Sequence, residues 1–206
     1  MTVKLVGSTS GSVSLQAPAS TSGGANRVLT LPDKNGTVAT TSDSFGKILQ
    51  VVQVVKKDTF SHTGQTFVDL PGFNPSITPT TTGSKIMLDI SLSGNSTGQG
   101  AIDLYRSIGG GTYAQLTDFI GDAASNAYRT TMSFGGQDST ARGNIGLKIL
   151  DTPTYTSGQA IAYKLKIGNP YHSTYKTHIN TIEYIYNSGN YDKTTISTFT
   201  LTEIGA

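Results

Sequence analysis

The side chains best suited to binding chemistry are concentrated in one polar stretch, NPYHSTYKTHIN, at residues 169–180. Its candidate surface-binding residues are Tyr171, His172, Tyr175, Lys176 and His178. An exposed tyrosine offers a rigid ring with a hydrogen-bonding tip, which suits contact with protein or sugar surfaces. The stretch therefore predicts a binding loop. The alternative is that the loop only caps the fold, while the nearby Tyr184 and Tyr186 belong to the core.

Catalytic residues are harder to assemble from this sequence. A glycan-cleaving enzyme needs two placed carboxylates, and the 13 acidic residues of the chain are mostly single and lie near turn-forming residues. The glycines at 109–111 are not followed by the Lys-Ser/Thr pair of a phosphate-binding loop. We interpret the acids as solvated groups in turns and at strand ends. We predict no catalytic residues and no enzymatic activity.

A metal or cofactor site is also not indicated. The three histidines are His62, His172 and His178, and no two of them form a His-x-His pair. If 172–178 were one strand, the last two would share a face, which is weak spacing for a metal site. The chain has no Cys, so thiolate ligands and disulfides are excluded. We predict no metal and no cofactor.

Composition excludes several other classes of protein. The net charge is only +2 over 206 residues, which does not indicate nucleic-acid binding. No apolar run approaches the roughly 20 residues that span a membrane, so we predict no membrane insertion. The first residues lack the apolar run of a signal peptide, and we expect no leader.

Alternating apolar residues at short spacing predict an all-β fold. The clearest strand is 85–92, in which Ile86, Leu88, Ile90 and Leu92 share one face. Further predicted strands are 48–56, 66–70, 101–108, 128–134, 145–149, 161–167, 182–186 and 197–204. About nine or ten short strands separated by turn residues predict a jelly-roll β-sandwich. Residues 115–126 could be helical, but Gly121 and weak periodicity favour a loop.

Composition changes near residue 44, which predicts two domains, an N-terminal arm at 1–44 and a head at 45–206. The arm is poor in aromatic residues and alternates only around Val13 and at 28–31, before the turn signal Asn35-Gly36. We predict an extended or β-hairpin arm. Because its apolar surface is too small to fold alone, the arm needs a partner, either its own copies or a neighbouring protein.

The segment ILQVVQVV at 48–55 departs from alternation, because its apolar residues point to both faces. One interpretation is a central strand covered on both sides. The other is that a neighbouring subunit covers one face, which makes Val51 and Val55 candidate interface residues.

Several stretches resemble structural proteins of tailed-phage particles. The arm, GSTSGSVSLQAPASTSGGANRVLTLPDKNGTVATTSD, resembles the N-terminal module of tail-fibre and other virion proteins. The head resembles a domain that recurs in phage structural proteins. The matching pieces of the head are LQVVQVVKKDTFS (49–61), FVDLPGFNPSITPTTTGSKIML (67–88), LYRSIGGG (104–111), GDAAS (121–125), LDTPTYTSGQAIAYKLKI (150–167) and TISTFTLTEIGA (195–206).

This resemblance implies a virion location and a homotrimer of jelly-roll heads similar to the tumour-necrosis-factor and complement heads. In such heads the final strand lies near the threefold interface, which makes Phe199 and Leu201 candidate interface residues. The arm would attach to another virion protein. The head would then be a short fibre or knob that binds a host-surface glycan or protein, or, alternatively, a decoration or cement trimer on the capsid.

Overall fold

The chain folds as two units, Met1–Thr40 and Thr41–Ala206. The computed structural model describes residues 2–6 and 12–16, by their backbone only, and residues 47–135, 142–182 and 194–205. In the first unit, β1 (Thr2–Val6) and β2 (Ser12–Gln16) form an antiparallel hairpin. The sequence predicted an extended or β-hairpin arm and showed the alternation around Val13, but the strand at Thr2–Val6 was not predicted. The second alternation, at 28–31, and the Asn35-Gly36 turn lie outside the described residues.

The described residues of the second unit form twelve strands. They are β3 (Ile48–Lys56), β4 (Phe60–Thr63), β5 (Val68–Asp69), β6 (Ser76–Ile77), β7 (Lys85–Ser96), β8 (Gly100–Ile108), β9 (Ala114–Gln115), β10 (Met132–Phe134), β11 (Gly143–Asp151), β12 (Ile161–Gly168), β13 (Lys176–Ile179) and β14 (Ser197–Ile204). Within these described residues the single helical element is a 3₁₀ turn at Thr117–Phe119, and no helix is long and apolar enough to cross a membrane.

The strand pairing is that of a jelly roll. The pairs are nested: β3 with β14, β4 with β13, β5 and β6 with β12, β7 with β11, and β8 with β9 and β10. Such nesting arises when one long antiparallel ribbon is rolled into two sheets. Antiparallel pairing of β14 with β7 completes a first sheet, β3-β14-β7-β11, which β13 and β4 extend. Antiparallel pairing of β12 with β8 completes the second sheet.

The core lies between the two sheets and is centred on β7. Ile86, Leu88, Ile90 and Leu92 are fully buried, as their alternation predicted. The second sheet contributes Leu104 and Leu165 among others. Burial of such side chains is the main favourable term in folding, at about 1.5–3 kcal/mol for each large aliphatic residue. The predicted all-β sandwich is therefore confirmed.

Several predicted strands need correction. The boundaries of β3 and β14 match the prediction, but the predicted strands at 66–70 and 128–134 are reduced to β5 and β10. The short strands β4, β6, β9 and β13 were missed, because two to four residues are too few to show periodicity. The predicted strand at 182–186 falls almost wholly outside the described residues.

The segment 48–55 is an edge strand, so the interpretation as a central strand covered on both sides is wrong. β3 pairs only with β14 among the described strands. Val52 and Val54 pack against the core, whereas Val51 and Val55 are 58% and 40% exposed.

A buried ionic group ties the two sheets together. Asp151, at the end of β11 in the first sheet, is 4% exposed. It accepts hydrogen bonds from Arg106 of β8 at 2.6 Å and from the Tyr163 hydroxyl of β12 at 2.7 Å. Burial, followed by the negative charge of Asp151, raises the pKa of the Tyr163 hydroxyl, which therefore stays a donor to this carboxylate.

A second buried carboxylate holds together the end of the sandwich at which β3 begins. Glu203 is fully buried and accepts hydrogen bonds from Gln50 of β3 and from Ser84, at 2.7 and 2.8 Å. The amides of Thr80 and Thr81 donate to the same group. Burial alone would raise the pKa of Glu203, but these hydrogen bonds outweigh burial and lower the pKa.

Glu203→Gln should therefore destabilise the fold in a pH-dependent way. We expect a loss of about 2 kcal/mol at pH 7, because the donors lose a charged acceptor. A lowered folded-state pKa means that the carboxylate stabilises the fold above its ordinary pKa, and that this contribution is lost as pH falls through the folded-state pKa. The difference between wild type and variant in urea denaturation should shrink at acid pH. Asp89→Asn, which removes an exposed ion pair with Lys148, is the control and should change stability little. A difference that stays constant with pH would contradict this role.

Candidate binding surfaces

The exposed large hydrophobic residues of the described chain fall on two separate surfaces. Five aliphatic side chains belong to the first sheet or its immediate flank: Ile48, Val51, Val55, Leu150 and Ile196. The two aromatic ones, Tyr128 and Tyr171, line one groove elsewhere. We call the first set the apolar face and the surroundings of the groove the aromatic end. Each is a candidate binding surface, because exposed apolar residues that cluster often mark interaction sites.

The apolar face follows from strand register. Val51 pairs with Thr202, which pairs with Met87, and Met87 pairs with Leu150. Paired residues in adjacent strands point to the same face, so this row crosses the whole outer surface of the first sheet. Val51 lies at one edge and Leu150, which is 45% exposed, lies at the other. The next row is polar and contains the ion pair between Lys148 and Asp89.

The prediction that Phe199 and Leu201 lie at a subunit interface is wrong for these two side chains. Both are fully buried in the core of their own chain. Because side chains alternate along a strand, the residues of β14 that point away from the core are the intervening Thr198, Thr200 and Thr202, of which Thr202 is only 8% exposed. The sequence STFTLTEI carries this signal, since its apolar residues alternate with threonine. The predicted interface residues Val51 and Val55 do face outward.

The aromatic end contains the predicted tyrosine loop, which connects β12 to β13. Tyr171 is 70% exposed and stacks on Tyr175 with ring centroids 5.8 Å apart. His172 is exposed, lies 5.1 Å from the Tyr175 ring and contacts the Thr174 hydroxyl through Nδ1. The structure thus brings three of the five predicted residues into one cluster.

The other two predicted loop residues are less available. His178 is 5% exposed, and its Nδ1 lies 2.7 Å from the Ser61 hydroxyl, so its prediction as a surface-binding residue is wrong. Lys176 is half-buried. Both residues lie on β13, where pairing with β4 and β7 holds them. Tyr184, Tyr186 and Tyr191 lie outside the described residues.

A groove of about 310 Å³ lies beside Tyr171, within the range of roughly 300–1,000 Å³ typical of ligand pockets. It is lined by Gln99, Ala101, Asn126, Ala127, Tyr128, Thr130, Ser133, Pro170 and Tyr171. Most of these residues were missed, because they come from the turn after β7 and from the segment 126–133. They are far from residue 171 in sequence, and only the roll of the sheets joins them.

Tyr128 is fixed on the wall of this groove by two contacts. Its ring stacks on Phe67, with centroids 5.3 Å apart. Its hydroxyl donates to Asp103 at 3.2 Å, and Thr130 donates to the other carboxylate oxygen at 2.9 Å. Burial raises the pKa of Asp103 despite these donors. Burial, and then the nearby Asp103 charge, raises the pKa of Tyr128 to about 12, so the tyrosine remains a donor at neutral pH.

The interpretation of the acids as solvated groups is wrong for three of them. Asp103, Asp151 and Glu203 are at most 4% exposed and each accepts hydrogen bonds. Among the described residues no three His, Asp or Glu side chains are grouped as metal ligands would be.

The sequence GNSTG at 94–98 has the spacing of a nucleophile elbow, which places serine at an exposed strand-to-helix turn. Here Ser96 is buried in β7, and its hydroxyl donates to the Lys176 carbonyl.

No protein-family model and no curated protein matches this chain. Among the solved structures that match is one titled "Structure of infectious bursal disease virus Gx strain". It is 13% identical, with a TM-score of 0.38, and the match covers 95% of this chain. The chain spans 43% of that protein's length. At this identity and TM-score the similarity supports no inference about function.

Tyr128→Phe tests the link between the groove wall and the buried acid. The variant keeps the ring but leaves Asp103 with one donor fewer, so we expect a loss of about 1 kcal/mol of stability at pH 7. The loss should shrink as Asp103 becomes protonated at lower pH, because a neutral carboxyl needs that donor less. Urea denaturation of wild type and variant over a pH series measures this difference in the free energy of unfolding. Tyr113→Phe, on another surface beside Lys164, is the control. Equal stability of Tyr128→Phe and wild type at every pH would contradict the coupling.

Proposed function

We propose that this chain is a structural protein of a phage particle, a trimeric knob that is anchored by residues 1–44 and attaches to the host surface through its aromatic end. The resemblance of the arm to tail-fibre modules supports the anchoring role. The observation that supports the knob best is the position of the aromatic end relative to the point at which the chain enters the head.

The chain enters the head beside the start of β7, and the aromatic end lies beside the opposite end of β7. Lys47 lies beside the start of β7, because its carbonyl accepts from Gly205 and Ile204 pairs with Lys85. The tyrosine loop lies beside the other end, where Ser96 pairs with Thr177. The 12 residues of β7 separate these ends by roughly 35 Å at 3.3 Å per residue. An arm that grips a particle from the Lys47 end would leave the tyrosines farthest from it.

The apolar face supports self-association. An edge strand with exposed valines is a template for pairing, and natural proteins usually blunt it with lysine or proline. β3 has no proline, and its one lysine, Lys56, is buried, so the exposed Val51 and Val55 are not protected in this way. The face is apolar at both opposite edges, at Val51 and at Leu150, which suits a head-to-tail contact between copies. Head-to-tail contacts that close form rings, and the resemblance to trimeric heads gives three copies.

Solution mass tests the trimer. We expect the full chain to sediment at three times its 21.6 kDa mass, and Val51→Lys with Val55→Lys to yield a folded monomer, because two charges would be buried at each contact. Ala162→Lys is the matched control, since Ala162 faces outward on the second sheet. A wild-type chain that sediments as a monomer would rule out the trimer.

Adsorption tests the role of the aromatic end. Particles that carry Tyr171→Ala should adsorb to host cells at least about tenfold more slowly, since exposed aromatic anchors dominate many interfaces, while the melting temperature of the chain stays unchanged. Tyr113→Ala particles are the control. Normal adsorption, together with particles that lose capsid stability when the chain is absent, would favour capsid decoration instead.

A further inference from the structure

We infer that the groove between Tyr128 and Tyr171 binds an uncharged saccharide of the host surface. This inference rests on the proposed attachment function and names the ligand class for that surface. Three features of the groove support it: the two aromatic side chains, the neutral polar lining, and the backing of each ring by another ring and a glycine.

The two tyrosines provide flat apolar surfaces at the rim of the groove. Tyr128 is 50% exposed and Tyr171 is 70% exposed, although both line the same cavity. One side of a sugar ring presents mainly C–H groups, which pack on the electron-rich face of an aromatic ring, while its hydroxyls point outward. Two tyrosines at one groove suit a ligand that is itself a flat, partly apolar ring.

The polar lining fits hydroxyl groups and lacks a charge. Gln99 and Asn126 offer amides and Ser133 offers a hydroxyl, whereas the Thr130 hydroxyl is already engaged by the Ile102 amide and Asp103. Amides and hydroxyls both donate and accept hydrogen bonds, which matches the same dual property of sugar hydroxyls. None of the nine described residues that line the groove is Asp, Glu, Lys, Arg or His. This lining therefore favours a neutral sugar over an acidic sugar or a phosphate, each of which would need a cationic partner.

Both tyrosines are held in place before a ligand arrives. Tyr171 stacks on Tyr175, and a Cβ added at Gly98 would overlap the Tyr175 ring. Tyr128 stacks on Phe67, and a Cβ added at Gly168 would come within 3.0 Å of the Phe67 ring. On each side of the groove, a glycine thus lies against a supporting ring, and the supporting ring stacks on the exposed tyrosine. Rings fixed in advance lose little conformational freedom on binding, which improves affinity.

Saturation-transfer NMR on the full chain tests the site directly. The probes are the methyl glycosides of glucose, galactose and N-acetylglucosamine, their β-linked tetramers, and methyl glucuronide as the charged match of methyl glucoside. We expect at least one neutral probe to bind and the glucuronide to bind at least about tenfold more weakly, because its carboxylate meets no cation. Tyr171→Ala should weaken binding by about tenfold, as expected for loss of one aromatic contact.

Two further variants separate ring position from ring loss. Gly98→Ala keeps every aromatic residue but displaces Tyr175, so it should weaken sugar binding as Tyr171→Ala does. Gly121→Ala, which adds a methyl group in open space, should bind normally. Binding that survives both Tyr171→Ala and Gly98→Ala would overturn the site.

The outcomes distinguish this inference from the attachment function. If no neutral probe binds, yet adsorption of particles depends on Tyr171, the saccharide is ruled out and a protein receptor takes its place. If neutral sugars bind through Tyr171 but Tyr171→Ala particles adsorb normally, the saccharide site stands and the attachment function fails. If sugar binding and adsorption fall together, both are supported.

Discussion

The burial of one row of side chains on β7 determines most of this structure. Ile86, Leu88, Ile90 and Leu92 are fully buried between the sheets, and a shift of one residue would expose all four. This burial fixes the register of β14 and β11 against β7, and the register of β14 in turn fixes β3. The outward position of Val51 and Val55 is therefore a consequence of packing on the other side of the sheet.

The length of the same strand sets the distance between the two ends of the head. β7 begins where the chain enters the head and ends beside the tyrosine loop, so its 12 residues separate these two ends of the head. Each end has its own stabilising group. Glu203 gathers donors from β3 and the loop before β7 at the entry end, whereas Asp103 anchors the Tyr128 hydroxyl beside the groove. The acids that looked like surface groups in the sequence thus hold loops onto the sandwich.

Sequence alone was sufficient for the parts of the fold that depend on local alternation. β3 and β14 have the predicted boundaries, and the buried face of β7 is the predicted one. Sequence could not show that β3 is an edge, because edge position depends on pairing between distant segments. The choice of Phe199 and Leu201 as interface residues failed because it relied on the resemblance of a whole strand and ignored which of its faces points outward.

The candidate site was predictable only in part, for a related reason. The tyrosines of one loop stand together in the sequence, but the groove is completed by Gln99, Asn126 and Tyr128, which the jelly roll brings from other connections. Its supporting contacts are also long-range, since Phe67 and Gly98 lie far from the rings that they support. The tyrosine loop was visible in the sequence, while the groove and its neutral lining were not.

The most direct test of this account is a reconstruction of the assembled particle in which the head can be fitted. The account predicts three heads around a common axis, with the Lys47 end toward the body of the particle and the Tyr171 end pointing away from it. Heads whose Tyr171 end is buried against the particle would contradict it.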